Sequence, residues 1–256
     1  MDETFRIGRV AGVRVGAHWS LLLIAGFIGW SLAGLAFPRL APGYPPIAYW
    51  LAALATTAVF LQSLLAHELA HCIVARRAGI PEHGIVFWVL GAASRLEGSP
   101  PSAAVELRVA AAGPAMSAAL AGGFLAFSRL LVATGAGRLI GATLGWLGAM
   151  NLLVAAFNLL PAYPLDGGRV FRALLWRWHG DEARAGMTAG RCGWLFGAAL
   201  VSGGILDAAL RVDLAGLWLV PLGWYLCGAA RTELPGRRAE RAELVEQVRP
   251  AAAPCP

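Results

Sequence analysis

Lysine is absent from this chain of 256 residues, so all 21 basic side chains are arginines, and charged residues of either sign make up only 14% of it. A soluble globular domain carries roughly 25% charged and 45–50% apolar residues, whereas here the hydrophobic share is 58% and the mean hydropathy is positive. That shortage of charge excludes an ordinary water-soluble domain, because so little polar surface could not cover so much apolar side chain. Cysteine is scarce as well. Cys72, Cys192, Cys227 and Cys255 make no CxxC pair, which argues against a disulfide framework or a cysteine-based zinc site. They read as small apolar residues. A cleavable leader is missing from the pattern too: Asp2 and Glu3 open the chain, and no small-residue cleavage site follows a short apolar region. The first apolar run is therefore expected to stay in the mature protein.

What the chain has instead is long apolar runs. They extend from Trp19 to Phe37, Ile47 to Ala75, Val109 to Ser128, Leu139 to Leu160, Cys192 to Leu210 and Leu214 to Ala230. A helix needs about 20 predominantly apolar residues to cross a bilayer, so six spans are predicted, with Asp207 and Pro221 interrupting the last two. Arginine placement tests that count. With the N-terminus in the cytosol, six spans leave 17 arginines on the cytosolic side and four outside, namely Arg39, Arg129, Arg138 and Arg211. Such an excess follows the positive-inside rule and puts both termini in the cytosol. The net charge of +6 thus flanks spans instead of forming one patch, which excludes a nucleic-acid partner.

The polar residues inside the second run carry the chemistry. His67, Glu68 and His71 form H-E-x-x-H within "LLAHELAHCIVARR". On a helix, residues four apart share a face, so both imidazoles can meet one metal ion while Glu68 sits beside it as a proton acceptor. Composition alone would give on the order of 0.004 such motifs in a chain of this length. Ionisable residues inside a span are costly and mark function by default. Arg76 lies nine residues beyond His67, on the order of 14 Å at the helical rise, so the metal is expected inside the hydrocarbon layer in its cytosolic half.

A catalytic zinc usually has three protein ligands, and His18, His83, His179, Glu97, Asp166, Asp181 and Asp207 are the candidates for the third. "NLLPAYPLDGGRV", Asn158 to Val170, favours Asp166. Pro161 and Pro164 interrupt the fourth span, and Gly167-Gly168 allow unusual backbone angles around the aspartate. Broken helix at membrane depth is tolerated where it lines a protected cavity. His18 beside Trp19, and His179 near Trp176 and Trp178, read as interfacial anchors.

"HELAH" in the second span together with "NLLPAYPLDGG" in the fourth resembles the site-2 protease family of intramembrane zinc metalloproteases. "VRVGAHW", "LEGSPPSAAVELRVAAAGPAMS" and "GGRVFRALL" extend the likeness over roughly residues 5 to 230. The resemblance implies six spans with the catalytic core in the second to fourth, and cleavage of a membrane-embedded helix near the cytosolic face. It implies one zinc ion held by His67, His71 and Asp166, with Glu68 as general base. Asn158 is a candidate oxyanion donor, since an amide in an apolar span is costly without a partner; an interhelical hydrogen bond is the plainer alternative. In the family the corresponding asparagine is associated with substrate contact.

Between the second and third spans, "HGIVFWVLGAASRLEG" is too short to cross and rich in β-formers. It reads as a membrane-dipping β-hairpin whose edge could hold an extended substrate, or as an interfacial loop that seals the site. The family often has Gly-Gly where this chain reads Gly91-Ala92-Ala93, which leaves the turn geometry open. Residues 231–256 read as a short cytosolic tail with five Arg and four Glu. Many relatives continue into a CBS pair; the sequence ends before one, and whether that module is naturally absent stays open. No PDZ domain fits between the spans.

The expected architecture is an all-α membrane protein of six transmembrane helices over residues 1–230, with a catalytic core at about 47–180 and a short membrane-associated hairpin. The expected function is zinc-dependent hydrolysis of a peptide bond in or near the span of a single-span membrane protein, in the inner (plasma) membrane. Assembly of several copies stays open. A metal-binding membrane protein without peptidase activity, such as a transporter or chaperone-like binder, is the alternative. Glu68 discriminates the two: binding needs ligands alone, whereas hydrolysis needs a base beside them.

Overall fold

The computed structural model describes residues 4–88, 91–96, 100–135, 137–211 and 214–231. The expected tail and Glu97 lie outside the described residues. The chain divides into two compact units, residues 1–158 and 159–256.

In the first unit, α1 (Ser20–Ser31) runs through a π-helical turn at Leu32–Ala36 into α2 (Phe37–Leu40), one apolar stretch of 21 residues. Pro38 has no N–H for the ladder, a familiar cause of such a local change in winding. Leu32 and Phe37 pack there with Tyr49 and Ala53 of α3 (Pro46–Arg77) and Leu139 of α5 (Arg138–Asn158). α4 (Ala103–Ala133) starts earlier than its apolar run suggests, because Ser102 caps it by accepting from the Val105 N–H at 3.3 Å.

α3, α4 and α5 each pass the length and apolarity needed to cross a bilayer, as do the α1–α2 stretch and α7 (Glu182–Arg211) in the second unit. Their burial pattern suits lipid. Small residues such as Ala53, Ala70, Ala75, Ala110 and Ala121 face inward, while Leu22, Leu51, Leu54, Phe127 and Leu153 are exposed. Among the described residues five helices therefore qualify as spans, where six were expected. The sixth run forms a 3-10 turn at Leu214–Trp218 followed by α8 (Leu219–Ala230), and its apolar helical stretch covers only Gly216–Ala230. Pro221 confines the α-helical start to its own first turn, where a missing N–H is tolerated.

The all-α expectation also needs enlarging. A four-stranded sheet in the order β1-β2-β3-β4 joins β1 (Phe5–Val10), β2 (Val13–Ala17), β3 (Glu82–Trp88) and β4 (Gly91–Leu96). β3 and β4 pair antiparallel between α3 and α4, where a hairpin was expected, while β2 pairs parallel with β3 through Val15↔Ile85. The β1–β2 hairpin was not expected. Its turn places Ala11 and Gly12 at φ 52° and 84°, the positive values at both central residues that a type I′ turn demands. Val13, Val15 and Ala17 then point to one face and pack with Ile85, Phe87 and Cys72. Cys72 is thus a small core residue, as read from the sequence.

In the second unit, the chain turns through residues 159–165 into α6 (Asp166–His179), which ends on Gly180 at φ 72°. Gly167 and Gly168 were expected to supply unusual backbone angles, but both are helical. They are needed for space. A Cβ on Gly167 would collide with the carbonyl oxygens of Leu159 and Leu160, and one on Gly168 with the backbone of Ala162 and Tyr163. The turn lies directly on the first residues of α6 and admits no side chain there.

Candidate metal centre

α3 carries His67 and His71 one turn apart, and both rings are buried. Their Nε2 atoms face each other at 3.3 Å. Two nitrogens bound to a tetrahedral zinc at about 2.0–2.1 Å would lie about 3.3–3.4 Å apart, so the observed spacing is that of one edge of such a site.

α4 supplies the frame. The His71 Nδ1–H donates to the Val109 carbonyl at 2.7 Å, and His67 Nδ1 hydrogen-bonds the Ser117 hydroxyl at 2.9 Å. Partners of this kind orient metal-bound histidines by fixing the second ring nitrogen. Between them, in steps of four residues, stands Gly113. A Cβ there would collide with His71 Nε2 and lie 2.5 Å from His67 Nε2. The absent side chain thus leaves room where both nitrogens converge. Pro114, next in sequence, has no N–H for the Ala110 carbonyl, so the α4 ladder is interrupted in the same turn.

Asp166 is the first residue of α6 and is buried. His67 and His71 belong to the first unit and Asp166 to the second, and together they offer two imidazoles and one carboxylate. Two imidazoles and a carboxylate are a donor set that zinc takes in hydrolytic sites. The residues present therefore fit zinc by donor chemistry, by the nitrogen spacing and by the notch at Gly113.

The other candidates fall elsewhere. Glu68 is half-buried on α3 beside His67 and is not one of the three donors. Asn158 ends α5, its amide nitrogen donating to the Val154 carbonyl of its own helix at 3.0 Å. His18 Nδ1 pairs with Ser20 Oγ at 2.8 Å, and His179 Nδ1 donates to the Leu175 carbonyl at 3.0 Å. Asp181 caps α7 by accepting from the Arg184 N–H at 3.0 Å. Asp207 approaches Gly216.

Three participants escaped the sequence reading: Gly113, Ser117 and the Val109 carbonyl. The first two had a faint signal in "GPAMS", a glycine and a serine one helical turn apart inside a span. A backbone carbonyl leaves none.

A model of Peptidase family M50 matches residues 55–137 and 133–200, which include both histidines, Glu68, Asn158 and Asp166. The chain belongs to this family. It is 41% identical over 233 residues to Rip3 of Mycobacterium tuberculosis, covering 91% of this chain and 59% of Rip3. It is 31% identical over 252 residues to sll0528 of Synechocystis, covering 97% of this chain and 63% of that one. The M50 chain thus spans about three-fifths of the length of these relatives. The site-2 protease from Methanocaldococcus jannaschii shares its fold, with a TM-score of 0.58 at 22% identity over 90% of this chain and 95% of that chain.

Proposed function

We propose that this M50 protein is an intramembrane zinc metallopeptidase that cuts a peptide bond in or near the span of a membrane-tethered protein. The observation that carries the reading is the pair of His67 and His71 Nε2 atoms 3.3 Å apart, next to Glu68 in sequence, within a region matched to a peptidase family that also holds Asp166. His67, His71 and Asp166 would hold the zinc, which would supply Lewis acidity toward a carbonyl and a water. Glu68 would be the general base beside it, accepting a proton from the attacking water and passing it to the leaving amine. One hydrogen of the Asn158 amide is given to Val154, and the second serves the developing oxyanion.

The substrate must reach this site unwound, since helical hydrogen bonding hides its peptide groups. β4 forms an edge of the sheet, and an edge strand offers a row of backbone donors and acceptors to an extended partner. In this reading the β3–β4 hairpin is membrane-associated and presents the substrate as an added strand. Gly216–Ala230 completes a sixth, short crossing, both termini lie in the cytosol, and residues 1–230 form one membrane domain in the inner membrane. The arginine distribution supports that orientation.

The test compares wild type with Glu68→Gln in detergent, for zinc content and for cleavage of a panel of single-span substrates. About one zinc in each protein, with cleavage by wild type alone, is expected. Equal cleavage by both would remove Glu68 from the chemistry. Zinc in both with cleavage by neither would favour a metal-binding membrane protein instead.

A further inference from the structure

The two histidines are held by chemically different partners. The Val109 carbonyl only accepts, so His71 must carry its hydrogen on Nδ1 and offer a lone pair at Nε2. Ser117 is buried, and its hydroxyl can donate or accept. That freedom matters at the 3.3 Å contact between the two Nε2 atoms. With a lone pair at His71 Nε2, a hydrogen bond across that contact needs the hydrogen on His67 Nε2, and His67 Nδ1 then accepts from the Ser117 hydroxyl. With both Nε2 lone pairs on a metal, His67 carries its hydrogen on Nδ1 and donates to Ser117 Oγ.

We propose that Ser117 is a positioning residue for the metal centre, its rotatable hydroxyl holding the His67 ring in place in both tautomers. The ring then needs no movement when zinc arrives. The geometry supports this independently of tautomers: Val109, Gly113 and Ser117 lie four residues apart on α4, matching the four-residue spacing of His67 and His71 on α3. One end of that frame holds each imidazole, and the middle leaves space for the ion.

The inference rests on the zinc reading of the site but not on peptidase activity. The experiment is zinc affinity of the full chain in detergent by chelator competition, for wild type, Ser117→Ala, Ser117→Thr and Ser117→Cys. Thermal unfolding of each zinc-stripped protein is measured in parallel. Loss of an outer partner typically weakens metal binding about 10–100-fold. That loss is expected for Ser117→Ala, with most of the affinity restored in Ser117→Thr, which keeps the hydroxyl. A smaller loss is expected for Ser117→Cys, whose thiol is a weak donor and acceptor. A purely structural serine would lower the stripped protein's midpoint while leaving the affinity near wild type, and that result overturns the proposal. If Ser117→Ala does not fold, Ser117→Cys decides alone: affinity equal to wild type refutes the role. Absence of zinc binding by wild type would instead strike the metal reading itself.

Discussion

Between Leu64 and Arg77 the two imidazoles ride on an unbroken helix, whereas the carboxylate of Asp166 follows a turn from Leu159 to Leu165 that no helix covers. The helical stretch gains its precision from outside itself, since α4 holds each ring by its second nitrogen. The turn gains its precision from within. Its backbone is tied by Ala162 N–H to the Leu160 carbonyl at 2.7 Å and Leu165 N–H to the Ala162 carbonyl at 2.9 Å, and it rests against two glycines. Regular structure sets the spacing of His67 and His71, and a crowded irregular segment leads into Asp166. One arrangement is sensitive to what fills the space beside it, the other to any side chain inside it.

The sharpest way to break the helical half is Gly113→Ala. Its methyl would occupy the space where both Nε2 atoms converge, so zinc measured by atomic absorption is expected to fall from about one per chain to near zero. Helical circular dichroism should stay close to wild type, because alanine is the better helix former. Retention of a full zinc would show that the notch has no part in the site.

The turn half breaks through Gly167→Ala. The added methyl meets backbone oxygen, which can move only with the turn itself. Overpacking of this kind costs about 1–3 kcal/mol, sometimes more, so a lower thermal midpoint and weaker zinc binding are expected together. Gly113→Ala should reduce zinc with little loss of midpoint in the zinc-stripped protein, whereas Gly167→Ala should lower that midpoint as well. A reversed pattern would contradict the contrast.

The smallest effect is expected away from both. Arg76 at the end of α3 donates to the Ala11 carbonyl at 2.8 Å and so ties the β1–β2 turn to the helix. This bond is exposed, and a single hydrogen bond contributes about 0.5–1.5 kcal/mol net. Arg76→Ala should lower the midpoint by a few degrees at most and leave zinc content unchanged. A loss of zinc would mean that the sheet supports the metal centre through α3.

How much of this was legible in the sequence follows from how local each signal is. His67, Glu68 and His71 could be placed because helical spacing converts a four-residue interval into a shared face. Asp166 could be singled out because Pro161, Pro164 and Gly167-Gly168 mark a broken span end around it, in a pattern that resembles the family's. The β1–β2 hairpin was missed because Ala11-Gly12 lacks the Asn or Asp that usually announces a type I′ turn. Gly167 and Gly168 were noticed for the wrong property: free backbone angles are a local feature, but the close approach of Leu159 and Tyr163 is visible only after folding. Ser117 belongs to the same class, being 50 residues from the ring it holds. The sixth apolar run met the compositional expectation and fell short in helical length, since Pro221 and the 3-10 turn before it were not weighed as a helix start.

The most direct test of the account is X-ray absorption at the zinc edge of the purified wild-type chain. The prediction is a first shell of nitrogen and oxygen at about 2.0–2.1 Å, with imidazole scattering from two histidines and no sulfur. A sulfur contribution at about 2.3 Å, or scattering from a single imidazole, would contradict a centre built from His67, His71 and Asp166.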